Sequence, residues 1–424
     1  MIGKEIHNFA TSLWPINRSL TGEGVRETLL AIKEHIPDLN IFEVKTGTKA
    51  FDWTVPKEWK INDAWIKDPE GKKICSFKEN NLHIVGYSIP FHGKLTLSEL
   101  QKRLFSLPEQ PNAIPYITSY YNEDWGFCIK DSERQALKNG DYEIFIDSEL
   151  FDGSLTYGEL LLKGKEKKEI FLSTYVCHPS MANNELSGPC VTTFLSKWIS
   201  SIENRRYSYR IVFIPETIGS IVYLSKNLNK MKKNIYAGFN ITCVGDNRTF
   251  SYLPSRNGKT ISDKVALHVL KHIDKSFNKY KWTDRGSDER QYCAPNIDLP
   301  ISSIMRTKYG EYPEYHTSLD NLNEVVSPEG LNGGFEILKL AIEALEKNIY
   351  PKVTVMCEPQ LGKYNLYPSI GGPKASKDLR TMSNLLSYSD GSHDLIDIAE
   401  MCDVPVWKLY SIVKNLQSKG LLIT

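Results

Sequence analysis

The alternation of hydrophobic and polar positions changes character three times along the chain. Residues 1 to about 45 carry helical spacing, broken at Trp14-Pro15. A second helix starts at Thr21-Gly22-Glu23-Gly24, with Val25, Leu29, Leu30 and Ile32 on its apolar face. From Asp52 to Tyr121 the chain turns to short β-prone runs rich in Trp, Tyr and Pro, which predict a small β-rich module. From Tyr142 apolar runs alternate with amphipathic ones. Strands are predicted at 143–146, 159–162, 170–176, 210–214, 238–244 and 301–306, and helices at 187–202, 219–232, 262–273 and 334–346. Continuous apolar strands between helices predict an α/β fold, a doubly wound and mostly parallel sheet covered on both faces.

Pro351 closes that region. The tail offers a short helix at 394–400, a turn at 404–408, a second helix at 409–416 and a Gly420-marked start of a hairpin, the pattern of a winged helix. The expected organisation is a core of residues 1–48 and 111–350, an inserted β-rich module at 49–110 and a winged-helix domain at 351–424.

Composition narrows the function classes. The chain has 424 residues, with 52 Lys+Arg against 51 Asp+Glu, so no global charge points to nucleic acid or an anionic membrane. The tail holds eight basic and seven acidic residues, too even a balance for a reader of DNA phosphates. A protein–protein role for the winged helix is the plainer expectation, and a homodimer is compatible with it. No apolar run approaches the roughly 20 residues of a membrane span, and the first 20 residues lack the apolar core of a secretory signal. The eight cysteines form no C-x-x-C pair, which predicts reduced thiols in a cytoplasmic protein and leaves His and carboxylates as the main metal ligands.

Ligands of a doubly wound sheet collect beyond the carboxyl ends of its strands. Strand 170–176 leads into Cys177-His178-Pro179-Ser180 and then Asn183-Asn184-Glu185-Leu186-Ser187-Gly188. Strand 210–214 leads into Pro215-Glu216-Thr217. Strand 301–306 leads into Tyr315-His316-Thr317-Ser318-Leu319-Asp320. Two histidines and several carboxylates therefore gather at one sheet edge, a set suited to Zn²⁺ with an open position for water.

These motifs, with Gly286-Ser287-Asp288, resemble the di-zinc aminopeptidase family, a co-catalytic zinc-exopeptidase fold. Within it the chain is similar to an aminopeptidase-like branch associated with polysaccharide biosynthesis, which has an inserted β module and a C-terminal winged helix. Asp52-Trp53-Thr54-Val55-Pro56, Ser119-Tyr120-Tyr121, Trp125-Gly126-Phe127 and Cys177-His178-Pro179-Ser180 support that branch. The resemblance implies His178 and His316 as metal ligands and Glu216 as general base. Asn184 falls where the family has its bridging aspartate, Thr217 where it has a glutamate ligand, and Thr242 where it has an aspartate ligand. With those carboxylates gone, the expectation is one Zn²⁺ per chain, with a third ligand from Asn184, Glu185 or Asp288. Tyr315 would bond a developing oxyanion, and Asp288, Arg290 and Gln291 would contact substrate. The substrate is then a small peptide or another amide, an acylated amino sugar being the alternative. A protein that has lost catalysis and only binds is the other class.

Each residue also has a plain structural reading. Glu216 could cap a helix, Asn184 could be a helix-entry amide, Arg290 could sit in a surface ion pair, and Tyr315 could be a packing residue. His268 and His272 have metal-ligand spacing without the glutamate of the zinc-protease motif, so they read as a solvated helix flank. Cys177 and His178 are adjacent, and alternation along a strand would point them apart.

Overall fold

The computed structural model describes residues 1–367 and 373–424, in two compact units. The first comprises Met1–Asp263 and Asn278–Glu336, the second Lys264–Phe277 and Ile337–Thr424. The first is built on an eight-stranded sheet ordered Asn40–Lys45, Ser154–Leu162, Ser208–Ile214, Glu169–Tyr175, Ile235–Asn240, Ile301–Met305, Ser251–Leu253 and Asn278–Lys279. The four central strands run parallel, and antiparallel strands close the Asn40–Lys45 side. Every residue of Glu169–Tyr175 is buried, as a strand covered on both faces requires.

The strand order reverses at Glu169–Tyr175. The next strand in sequence pairs on one side of it, and the one after pairs on the other. The carboxyl end of that strand is therefore the switch point, where the crossovers diverge and leave a crevice. Cys177 and His178 follow it directly. The helix Ser187–Ser200 packs close here because a Cβ at Gly188 would meet Thr174 Oγ1 at 2.5 Å and Ile241 O at 2.7 Å. Only glycine fits that approach.

Two segments differ from the sequence expectation. Residues 40–45 form an edge strand paired with Ser154–Leu162, so the helical spacing ends at His35. Strand Asp141–Phe151, expected at 143–146 in the core sheet, belongs to a separate four-stranded sheet with Glu58–Lys67, Lys73–Ser76 and Phe91–Thr96. The chain leaves that sheet at Phe151 and enters the core sheet at Ser154, so two consecutive strands joined by a short turn serve different sheets. Period-two alternation states that a strand exists and not which sheet it joins.

Buried charge ties the core strands together. Arg210 is 1% exposed and bonds Glu169 at 2.6 Å, Glu159 at 2.9 Å and the Tyr223 hydroxyl at 2.7 Å. Arg210→Met leaves two carboxylates without their counter-charge. A loss of about 3–5 kcal/mol is expected in denaturant unfolding, larger than for a surface ion pair.

The second unit contains the helices Pro373–Tyr388, Leu395–Met401 and Leu409–Ser418, and the short strand pair Lys352–Val353 with Leu422–Ile423. Asp394 caps its helix by accepting from Asp397 N. His268 is a correction to the solvated flank. It is 1% exposed, its Nδ1 lies 2.5 Å from Glu400, and its Nε2 accepts from Val406 N at 2.9 Å. Those bonds hold it neutral with the proton on Nδ1, and they occupy both ring nitrogens. Burial, above all, lowers its pKa despite Glu400. A depressed histidine contributes stability that is present above the usual value of about 6.5 and is lost as pH falls through the folded value. Thermal melts from pH 7.5 to 5 should show a fall in midpoint that His268→Gln flattens.

No helix among the described residues is long and apolar enough to cross a membrane.

Candidate active site

His178 sits at the switch point and is 2% exposed. Its Nδ1 donates to Glu185 at 2.9 Å, and its Nε2 faces Glu216 at 3.5 Å. Glu185 in turn lies 3.3 Å from Arg18 Nε, and both side chains are wholly buried. Arg18 Nε also donates to the His178 carbonyl at 3.0 Å. A carboxylate on one ring nitrogen fixes the tautomer and turns the other outward. Burial opposes a charge on His178, yet Cys177 and Glu185 carry its pKa well above the usual imidazole value.

Glu216 follows the strand Ser208–Ile214 and begins a strained turn. Thr217 has φ 63 and ψ −76, and Ile218 N bonds Glu216 O at 2.8 Å, a γ-turn of the uncommon hand. A β-branched residue seldom takes that backbone, and strain of this kind collects at functional sites. Asp288 pins the turn by accepting from Thr217 N at 2.8 Å and Ser220 Oγ at 2.9 Å. Burial raises both acids; His178 and Arg290 pull Glu216 back, while Asp288, with Glu216 beside it, is pushed up to about 7.

His316, with φ 56, is held from the other side. Its carbonyl accepts from Tyr116 N at 2.9 Å, and the Tyr116 ring meets His178 and His316 edge-on, each centroid 5.3 Å away. Tyr315 stacks on His316 at 3.9 Å. The two imidazole centroids are 5.7 Å apart. Burial and then His178 lower His316 to about 3, so it is neutral at physiological pH, the form that binds metal.

At the positions where the resemblance implied further ligands, the side chains are neutral and are engaged by other residues. The Tyr175 hydroxyl bonds Asn184 Oδ1 at 2.7 Å and Thr242 Oγ1 at 2.6 Å. Arg290 Nη2 donates to Thr217 Oγ1 at 2.6 Å, which places a cation where a glutamate ligand was implied. Asp320 accepts from the amides of Asn183 and Asn184 and from Tyr312, and burial raises it to about 6.

The structure thus brings His178, Glu185, Glu216, Tyr315, His316 and Arg290 together. Asp288 is fully buried beneath the Thr217 turn, which corrects its expected contact with substrate. Among the described residues none hydrogen-bonds the Gln291 side chain. Cys177 also differs from expectation. The strand ends at Tyr175, alternation no longer applies, and Cys177 Sγ lies 3.5 Å from His178 Nδ1. Cys177, His178 and Glu185 form a compact donor cluster. It uses the inner nitrogen, already bonded to Glu185, and burial pushes the Cys177 thiol up to about 11. That side is a hydrogen-bonded core, and the Nε2 side, where Glu216 remains 19% exposed, is the more accessible face. Sequence reasoning missed Arg18 and Tyr116. Arg18 stands 160 positions before His178, and no local spacing marks such a partner.

Sheet order and switch point are those of the zinc-aminopeptidase fold. Solved structures of a zinc aminopeptidase from Bacillus subtilis (12% identity, TM-score 0.60, 81% of this chain and 94% of that one) and of a peptidase M28 precursor from Shewanella amazonensis (12%, 0.58, 84% and 98%) share it. The chain belongs to the family described as Domain of unknown function (DUF4910), matched over residues 7–348, followed by a winged helix-turn-helix over 348–424. A Clostridium acetobutylicum relative named as a polysaccharide biosynthesis protein with aminopeptidase-like domain is 46% identical over 399 residues, covering 94% of this chain and 91% of that one. A crystal structure from the same organism is 43% identical with TM-score 0.93, covering 100% and 96%.

The Arg18–Glu185 pair can be tested as a cycle. Arg18→Met and Glu185→Gln should each cost about 3–5 kcal/mol in unfolding, because each strands a buried charge. The double variant should recover part of that loss, and simple additivity would mean the two do not act as a pair.

Proposed function

We propose that the chain hydrolyses an amide bond and uses one zinc ion per chain. The donor set fits one such ion and not two. His178, on giving up its Nε2 proton, and His316 are the side chains that would hold it. Asn184 and Thr242 are engaged with Tyr175, Thr217 with Arg290, Asp288 with Thr217 N, and Glu185 with Arg18 and His178. Asn184, Thr217 and Thr242 supply no carboxylate for a second ion, and Asp288 Oδ2 and Glu185 Oε1, though they accept no hydrogen bond, are wholly buried. When bound there, zinc polarises a carbonyl and lowers the pKa of water.

The chain's own groups supply the rest. Glu216, raised by burial, takes the proton from water and returns it to the leaving amine. Glu185, backed by Arg18, orients His178. Tyr315, stacked on His316, donates to the developing oxyanion. Arg290 attracts an anionic group of the substrate. The single observation that carries this reading is the facing of Glu216 and His178 Nε2 at 3.5 Å on the half-open side of the site. The relative's name favours an acylated amino sugar as the amide.

With only two protein ligands, zinc should be retained less firmly than in a three-ligand site. Elemental analysis after gentle purification should find about one zinc per chain, and none in His178→Ala/His316→Ala. Glu216→Gln should keep the metal and lose about 10²–10⁴-fold in turnover on N-acyl hexosamines or aminoacyl arylamides. The neutral residues Asn184, Thr217 and Thr242 favour a rival, a protein that binds without catalysis. Metal retention with no turnover across both substrate sets would establish the rival.

A further inference from the structure

Three aromatic side chains, Trp53, Tyr120 and Tyr121, stand exposed close together. Trp53 is 39%, Tyr120 43% and Tyr121 50% exposed. The Trp53 and Tyr121 rings lie 6.3 Å apart, tilted by 58°, and the Tyr121 hydroxyl donates to Thr54 O at 3.3 Å. Tyr120 connects this cluster to the chemistry. Part of the residue meets solvent, but its phenol is raised by burial, and the charges of His178, Cys177, Glu216 and Arg290 act on it. Tyr120 also follows closely in the chain on Tyr116, whose ring meets His178 and His316 at 5.3 Å each, so the cluster begins near the candidate site.

The Trp53–Tyr121 contact and the Tyr121–Thr54 bond account for part of these side chains, yet 39–50% of each residue stays in water, where an aromatic ring adds little to the fold. Backbone conformation points the same way. Tyr120 has φ 49, and Phe51, 57% exposed between Lys49–Ala50 and Trp53–Thr54, has φ 52. Turns usually fill that left-handed region with Gly or Asn, because a bulky side chain is strained there. Two exposed aromatics in strained turns indicate rings displayed for a ligand.

The ligand's class follows from the rings. Tyr and Trp offer an electron-rich face with a polar edge. A pyranose offers polarised C–H groups on its face and hydroxyls around its rim, so it matches both features, through individually weak C–H contacts. A peptide would seek a row of free backbone N–H and C=O groups. Tyr120 and Tyr121 lie in a turn, which provides no such row.

We infer that Trp53, Tyr120 and Tyr121 form a stacking platform for the glycosyl part of an N-acylated amino sugar, placed so that its amide reaches Glu216. The position of the amide rests on the hydrolase reading above; the binding of the sugar does not.

Saturation-transfer NMR on the full chain separates the two. The probes are a panel of N-acetylhexosamine disaccharides, with leucyl-leucine amide for comparison. Transfer should appear on pyranose C–H protons, and Trp53→Ala/Tyr121→Ala should weaken it by about tenfold with an unchanged melting midpoint, since both residues are exposed. No transfer from any disaccharide, equal transfer in the variant, or variant-sensitive binding of the peptide alone overturns the platform. Sugar binding without hydrolysis supports the platform and counts only against the hydrolase reading.

Discussion

The buried chain Arg18–Glu185–His178 is the interaction on which the site depends. A carboxylate with no exposed surface is costly unless a counter-charge and hydrogen bonds compensate it. Arg18 supplies that charge from the segment between the first two helices, and Glu185 passes the effect to the imidazole. The N-terminal segment is thereby part of the site's foundation. The same pairing decides which face of His178 is chemical. Nδ1 is held inside, and only Nε2 remains to meet Glu216, a metal or a substrate.

Around that centre the charge pattern departs from a two-metal arrangement in a consistent direction. Tyr175 joins Asn184 and Thr242 through neutral hydrogen bonds, and Arg290 reaches Thr217. Two adjacent divalent ions need bridging and terminal carboxylates to offset their repulsion. This pocket offers hydroxyls, an amide and a cation in those places. Asp320 and Asp288 remain as carboxylates, and each accepts from backbone amides and so holds a loop in place.

The fold was largely legible because it follows from apolar periodicity. Fully buried strands separated by amphipathic helices have few alternatives to a covered parallel sheet, and the strands beginning near 170, 210 and 301 lie close to their expected positions. Strand 141–151 joined the module's sheet instead, because pairing partners are long-range choices that alternation does not encode. Of the site, the strand-end residues His178, Glu216 and His316 could be singled out from placement and motif. Arg18, Tyr116 and the enclosed state of Asp288 could not, since each depends on segments far apart in sequence.

The sequence by itself determined the sheet-and-helix architecture, the winged-helix tail and the side chains available at the switch point, because periodicity, turn residues and strand-end motifs are local properties. Only the tertiary structure decided which of those side chains face one another. It gave Glu185 to Arg18 and His178, sent Asp288 under the Thr217 turn, set Cys177 against His178 and buried His268 on Glu400. The physical reason is that burial and charge pairing are properties of the assembled interior. A carboxylate's partner, exposure and proton affinity are fixed by residues brought next to it from elsewhere in the chain.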